Sequence, residues 1–533
     1  MKSVVSLGFQ SSVFSPLMQR LLQSDKALLP FHNGLATVSN VQKAAQNRAA
    51  TYSNESRKVL ADAIQNQYSH LDQKEEVAAN VQLLKNPNTV TVTTGHQLNI
   101  FTGPLFFWYK ILDVINTAER MQQADSSHHY IPVFWMASED HDFEEINHFF
   151  LGEQKVRWET ESGGPVGRIP TKTLAELYGQ LEPYWNNTPL GKELLALFAA
   201  CYLKEDNLAN ATRKLVHQLF GKYGLIIVDG DDPKLKKRFV PTLLCEVREQ
   251  LTASSVLSTD KSLANAIPGY KPQVTPREIN LFYLLNDKRL RMVKKENEYA
   301  TIERTHAWSL KALETEIQLN PERFSPNALM RPLYQECVLP NIAYIGGGGE
   351  LAYWLQLKEA FEAFNIPYPL LQHRSSVLLM SEKQVKKCTN LNLRFQDLFL
   401  PKASFINKRV RQISDIDIDF SAQKSILVNH FEALKELAKQ TDASFLGAVN
   451  AQEKKQIKGL ENLEKRLLKA QRIKLKDEII RVTDIQNALF PNGKLQERSA
   501  HFSTFTSDTT IETFTSALKK ALSDAEGLQI LQY

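Results

Sequence analysis

Residues 138–145, SEDHDFEE, set Glu139, Asp140, His141 and Asp142 side by side. Carboxylates crowded this closely repel one another unless they hold a cation, pair with a basic substrate or move protons. Asp140 and Asp142 are therefore candidates to receive a substrate amine or a cation, His141 to do acid–base work, and Glu139 to contact substrate or nucleotide. The same acids also suit a helix start, where they complement the macrodipole. Neither an HExxH helix nor a thiol ligand accompanies them, and no metal ligand is assigned.

Two further segments have the order strand, polar loop, helix. In residues 94–110, TGHQLNIFTGPLFFWYK, the loop offers backbone N–H groups and a helix N-terminus to a phosphate or carboxylate. Gly95 and Gln97 are candidate binding residues there, and His96 is placed to donate a hydrogen bond to charge developing on a transferred phosphate. Thr102 and Gly103 stand where the helix should begin, with Pro104 at its first position. An ordinary capped strand-to-helix turn would use the same residues. In residues 345–358, IGGGGELAYWLQLK, Gly347, Gly348 and Gly349 permit positive φ and close approach to a nucleotide. Glu350 suits a ribose hydroxyl or a substrate amine. Tyr353 is a further candidate contact, although it and Trp354 would serve equally as core. The loop fits neither GxGxxG nor GxxxxGK[ST], and no GxSxG elbow occurs, so no dinucleotide fingerprint, P-loop or serine triad is assigned.

The elements that must carry these loops are short apolar runs at 90–94, 131–136, 225–229, 342–345 and 368–371. They read as buried strands of a parallel sheet, with helices around 105–121, 232–251 and 350–364 as crossovers. The fold class is then α/β, a right-handed βαβ core of Rossmann-like type with ligands at the carboxyl ends of its strands. Two intervals are too long for crossovers. Residues 145–224 read as a first insertion, with a hairpin over 155–169 turning on Ser162, Gly163 and Gly164. Residues 257–327 read as a second, a meander turning on Asn286 and Asp287. Core segments are thus 1–144, 225–256 and 328–375. From 376 to 490 Lys, Glu, Gln and Leu dominate, and Leu460, Leu463, Leu467 and Ala470 keep a coiled-coil spacing that slips and resumes at Leu475, Ile479 and Val482. This is an α-helical coiled-coil arm suited to a homodimer; residues 491–533 return to the core.

Composition narrows the class. With 533 residues, 43% hydrophobic and 23% charged, the chain should bury a sizeable core in more than one unit. A net charge of +5 over that length gives no reason to expect a nucleic-acid partner. The four cysteines, Cys201, Cys245, Cys337 and Cys388, form no CxxC pair, so neither a disulfide framework nor a zinc site is visible. No leader and no membrane-spanning run is expected, which points to the cytoplasm.

Taken together, the GHQ and FTGPLFFWYK elements, SEDHDFEE, RPLYQECVLPNIAYIGGGGELAYWLQLK (331–358) and PNGKLQER (491–498) resemble the cysteine-adding enzymes of bacillithiol synthesis, the BshC family. The similarity runs along the whole chain. It implies a Rossmann-type core with two connecting-peptide insertions and a coiled-coil dimerisation arm, distantly like class I aminoacyl-tRNA synthetases. It also implies a ligase joining L-cysteine to glucosaminyl-malate, with ATP or ADP and magnesium as the activating cofactor. The alternatives left by the residues alone are a metal-dependent amidase or deacetylase and a non-catalytic scaffold.

Overall fold

Threonine and valine alternate through Thr89–His96 (β1), and both faces of the strand are buried, as in the centre of a parallel sheet covered by helices. The threonines remain in the core because their hydroxyls find acceptors. Thr91 and Thr93 donate to Asn341 Oδ1 at 3.3 and 2.8 Å, and Thr94 donates to the Ile345 carbonyl at 2.7 Å. His129–Met136 (β2), Ile226–Asp229 (β3), Asn341–Gly346 (β4) and Leu370–His373 (β5) complete a parallel sheet in the order β5-β4-β1-β2-β3. The chain leaves β1 on one side for β2 and β3, then returns to its other side for β4. That reversal makes the carboxyl ends of β1 and β4 a topological switch point, where open α/β sheets leave a crevice. The expected Rossmann-like sheet is present.

The structure, a computed structural model, describes all residues except Gln10, Ser12, Gln73, Asn286, Asn297, Ser507, Asp508 and 524–526. Two compact units result, residues 1–379 with 495–533, and residues 380–494. In the first, Phe106–Ala124 (α1) packs on β1 and β2. Pro233–Glu249 (α2) starts at Asp232, whose carboxylate accepts from the Lys234 and Leu235 N–H groups. Met330–Val338 (α3) leads into β4, and Gly348–Gln356 (α4) leads out of it. The helix expected over 350–364 breaks at Leu357 and resumes as Lys358–Ala363.

The hairpin of the first insertion lies earlier than its expected place. His148–Leu151 pairs antiparallel with Gln154–Arg157, because the tight turn uses a left-handed residue and Gly152, at φ +61°, supplies it. The second insertion is a five-stranded antiparallel sheet that includes Leu281–Leu285 and Lys288–Lys295. Of its expected turn, Asn286 lies outside the described residues.

The C-terminal segment braces the loop after β1. Leu105 N–H donates to the Ala500 carbonyl at 3.0 Å. His501 Nε2 donates to the Phe101 carbonyl at 2.8 Å, while its Nδ1 pairs with Ser503 Oγ at 2.8 Å. Leu528–Gln532 pairs antiparallel with Lys2–Ser6.

In the second unit Ser421–Ala438 (α5) and the 32-residue Ala443–Lys474 (α6) form a hairpin through a short connection. The expected slip of the seam is a helix junction at Leu475, after which Lys476–Leu489 (α7) continues. Leu467, Leu468 and Leu475 pack there with Ile406, Val410 and Ile479.

Burial pushes His501 down to about 3. Unfolded, the imidazole titrates near 6.5, so the unfolded chain protonates first and stability is lost as pH falls below that value. His501→Gln should lower stability at pH 7.5 but remove a loss of about 2 kcal/mol between pH 7.5 and 5. Urea denaturation at the two pH values checks it.

Candidate functional site

At the switch point the carboxyl ends of β1 and β4 carry Gly95, His96 and the glycine loop, and α1 reaches up between them with Lys110. The Lys110 ammonium is buried; its Nζ lies 2.6 Å from Glu350 Oε2 and donates to the Gly95 carbonyl at 2.7 Å. Glu350 also accepts from Gly347 N–H at 2.8 Å and from the Tyr344 hydroxyl at 3.2 Å. Burial alone would raise the Glu350 carboxyl, but Lys110 and the Gly347 N–H outweigh it and hold it below its usual range. Burial in turn lowers the Lys110 pKa, opposed by Glu350.

His96 lies beside this pair, its ring 5.1 Å from those of both Phe106 and Phe107. Burial, reinforced by Lys110, lowers it to about 3. Its Nδ1 is 2.7 Å from the Gln97 carbonyl; a carbonyl only accepts, so Nδ1 carries the proton and Nε2 is a bare lone pair. This reverses the donor role expected of His96. The neutral ring accepts a hydrogen bond at Nε2 and offers none to an anion.

Gln97 joins this loop to the acidic one, donating to Glu145 Oε2 at 2.6 Å and to Asp140 Oδ2 at 3.3 Å. Asp140 accepts from the His141 N–H at 2.8 Å and faces two guanidinium groups, Arg331 at 3.5 Å and Arg289 at 3.6 Å. Burial would raise this carboxyl; His141, Arg331 and Arg289 override it and hold it well below the usual carboxylate range. Arg289 comes from the second insertion and donates to His141 Nδ1 at 2.9 Å, which leaves the proton of a neutral His141 on Nε2. Arg331, at the start of α3, keeps 30% of its side chain exposed and lies beside Tyr353.

The remaining acids turn elsewhere. Glu139 is bonded to the fully buried Lys236 of α2, so its expected contact with substrate is replaced by a structural ion pair. Asp142 is exposed and caps the short helix Phe143–Ile146 by accepting from Glu145 N–H at 3.3 Å, a local role in place of the expected amine site. Thr102 and Gly103 do not start a helix. Phe101, Thr102 and Gly103 have φ of +49°, +74° and +61°, a left-handed run that a right-handed helix cannot contain. Gly103 N–H donates to the Ile100 carbonyl at 3.0 Å, and the buried Thr102 hydroxyl accepts from the Trp108 indole at 3.1 Å. The Gly103 N–H is thus taken, and it is burial, at 1% exposure, that closes Thr102 to an anion.

What the sheet edge brings together is therefore a neutral imidazole acceptor, a buried lysine–glutamate pair, the Asp140 carboxylate flanked by two arginines, and a glycine loop. It can orient an amine, grip carboxylates and receive an oxyanion. Lys110 and Arg331 lie within the segments quoted from the sequence, yet local spacing does not single them out. Arg289 carries no sequence signal, because its partner Asp140 is remote along the chain. Among the described residues no group of three or more His, Cys, Asp or Glu is arranged to hold a metal ion. The acids that a metal-dependent amidase would need are paired with protein cations or used as a helix cap.

Two family models match the chain. One described as "Bacillithiol biosynthesis BshC, N-terminal Rossmann-like domain" covers residues 3–375, and its counterpart, "C-terminal coiled-coil domain", covers residues 377–533. Among curated proteins named "Putative cysteine ligase BshC", that of Flavobacterium johnsoniae is 46% identical over 500 residues, 94% of each chain. That of Cytophaga hutchinsonii is 35% identical over 94% of each. A more distant one from Bacillus cereus is 26% identical over 80% of this chain and 81% of its own.

The buried Lys110–Glu350 pair gives a direct test of the site's electrostatics. Lys110→Met leaves the Glu350 carboxylate, 27% exposed, without its cation and should destabilise the first unit by about 1–3 kcal/mol. Lys110→Met combined with Glu350→Gln should recover most of that loss in denaturant titrations.

Proposed function

This chain belongs to the bacillithiol-biosynthesis BshC family, and on that premise we propose that it is a ligase forming the amide bond between the carboxyl of L-cysteine and the amine of glucosaminyl-malate. The observation that carries the reading is the pairing, at one switch point, of a neutral hydrogen-bond acceptor for an amine with guanidinium groups suited to the malyl carboxylates.

A carboxylate is a poor electrophile, and ATP with magnesium is the activator we propose for it. The unpartnered N–H groups at the start of α4 fit an anionic group of that kind. When bound, it converts the cysteine carboxyl oxygen into a leaving group. The chain's own residues then bring the amine to that carboxyl. His96 Nε2 accepts a hydrogen bond from the amine and orients its lone pair; at a pKa of about 3 the ring does not store the proton. That proton leaves to solvent on the open side of the acidic loop, because His141, with Nδ1 held by Arg289 and Nε2 protonated, has no free lone pair to take it. Asp140 holds Arg289 and Arg331, and Arg331, the more exposed of the two, reaches the malyl carboxylates as a charge-assisted donor.

Holding the amine over the carboxyl is an orientation effect, worth orders of magnitude in rate. His96→Ala and Asp140→Ala should each reduce bacillithiol formation by ~100-fold or more with the fold retained by circular dichroism. Product analysis by mass spectrometry decides, and unchanged rates in both variants would remove the assignment. Arg331→Ala should raise KM for glucosaminyl-malate about tenfold or more while leaving KM for cysteine close to that of the parent enzyme, since a charged hydrogen bond contributes ~1.5–3 kcal/mol.

We also read the helical unit as a homodimerisation arm, because Ile426, Leu463 and Ile473 are 60%, 53% and 68% exposed on its helices. Sedimentation velocity should find a dimer; a monomer at every concentration would remove this part. We place the enzyme in the cytoplasm. Its four cysteines are unpaired thiols, and no helix among the described residues is long and apolar enough to cross a membrane.

A further inference from the structure

Burying a charge is costly unless an opposite charge meets it. Lys110, Lys236 and Arg374 are each buried against a carboxylate. Arg48 and Arg57, near the amino ends of the strands, are buried without an ion pair. Arg57 has both Nη groups on backbone, donating to the Thr89 and Pro87 carbonyls at 2.7 Å. Arg48, 8% exposed, uses only Nη2, which donates to the Glu336 and Leu339 carbonyls at 2.7 Å and so caps the end of α3. Its Nη1 has no acceptor among the described residues and, unlike its Nε, is not closed to solvent. The carboxyl that acts on Arg48 is Glu336. Burial pushes that group up to about 7, so it is only partly ionised at neutral pH, and its Oε1 is occupied by the Gln335 and Asn341 amides, both at 2.8 Å.

Arg48 lines a groove of about 460 Å³ between the helix Val38–Thr51 and residues 367–370, which lead into β5. The groove lies at the amino ends of β4 and β5, the opposite end of the sheet from the switch point. Lys43 and Asn47, both exposed on the helix, line it as well, and no Asp or Glu does. Asn33 and Asn40 complete its polar side. Each donates its amide N–H to a backbone carbonyl, Tyr368 at 2.8 Å and Leu35 at 2.9 Å, which leaves the two Oδ1 atoms as acceptors. Cations without counter-charges thus stand beside acceptors suited to hydroxyl groups, in a volume that takes a small organic molecule.

We propose that this groove is a binding site for a small anionic hydroxy compound, with its phosphate or carboxylate on Arg48 Nη1 and Lys43 and its hydroxyls on the Asn33 and Asn40 side-chain carbonyls. A phosphate ester and a hydroxy acid present the same chemistry here, terminal anionic oxygens next to hydroxyl donors. The site goes beyond the ligase reading, since none of its residues belongs to the edge at which that reaction is placed. It nonetheless abuts the reaction site's frame: Arg48 holds the end of the helix whose start carries Arg331.

The test is isothermal titration of the full chain with glucose 6-phosphate, gluconate and glucose, repeated on a Lys43→Glu/Asn47→Glu double variant, on Arg48→Gln and on Arg331→Ala. Glutamate suits an exposed helical position, so the double variant should keep the parent's melting temperature, and two carboxylates in the groove should weaken anion binding about tenfold or more. Arg48→Gln should weaken it likewise; should that variant fail to fold, the double variant decides alone. Arg331→Ala, at the switch point, should bind as the parent does, and uncharged glucose should not bind. Binding of glucose 6-phosphate identifies a phosphate ester as the ligand class, and binding of gluconate alone a hydroxy acid. Parental affinity in the double variant, or a folded parent protein that binds neither anion, overturns the site.

Discussion

The Lys110–Glu350 ion pair, closed against the Gly95 carbonyl, is the interaction on which the site depends. It ties the helix after β1 to the helix after β4 across the one place in the sheet where the strand order reverses. The ammonium is withdrawn from water there while the carboxylate keeps 27% exposure, and the arrangement holds because each has further hydrogen-bond partners as well as the other. The pair also acts on its neighbour, since Lys110 helps to keep His96 neutral. Position and charge at the switch point thus follow from one buried lysine, which adds to the burial that keeps His96 neutral.

The same principle extends along the sheet edge. Glu139 is matched by Lys236, Asp229 by Arg213, Asp231 by Arg168 and Asp140 by two arginines. The cations come from the crossover helices, from both insertions and from the segment before β4. The insertions are therefore built into the site's electrostatics: removing Arg289 or Arg168 would leave a carboxylate of the edge short of its counter-charge. The C-terminal segment contributes in the same way through Glu497, which orders Arg374 at the end of β5.

Much of this was legible in the sequence where physics is local. Apolar runs marked the five strands, and the three polar loops did fall at one edge of the sheet, because a parallel strand always delivers its following loop to the same end. What escaped reading was non-local or hidden in backbone angles. Nothing near Asp140 announces Arg289, which arrives from a separate antiparallel sheet. The left-handed run at Phe101, Thr102 and Gly103 is held by burial, by the Trp108 indole and by the C-terminal segment, so a motif that looks like a helix start is a brace instead. Gly152, not Ser162 to Gly164, turns the hairpin, since only one of two glycine-bearing stretches can satisfy the strands on either side. The coiled-coil seam was visible as a spacing, and its slip marks the helix junction at Leu475.

In the proposed function the reaction takes place over the carboxyl ends of β1 and β4. A crystal structure with glucosaminyl-malate bound tests this most directly. The amine is expected within hydrogen-bonding distance of His96 Nε2, with a malyl carboxylate on Arg331. A ligand seated away from the switch point, with His96 and Arg331 untouched, would contradict it.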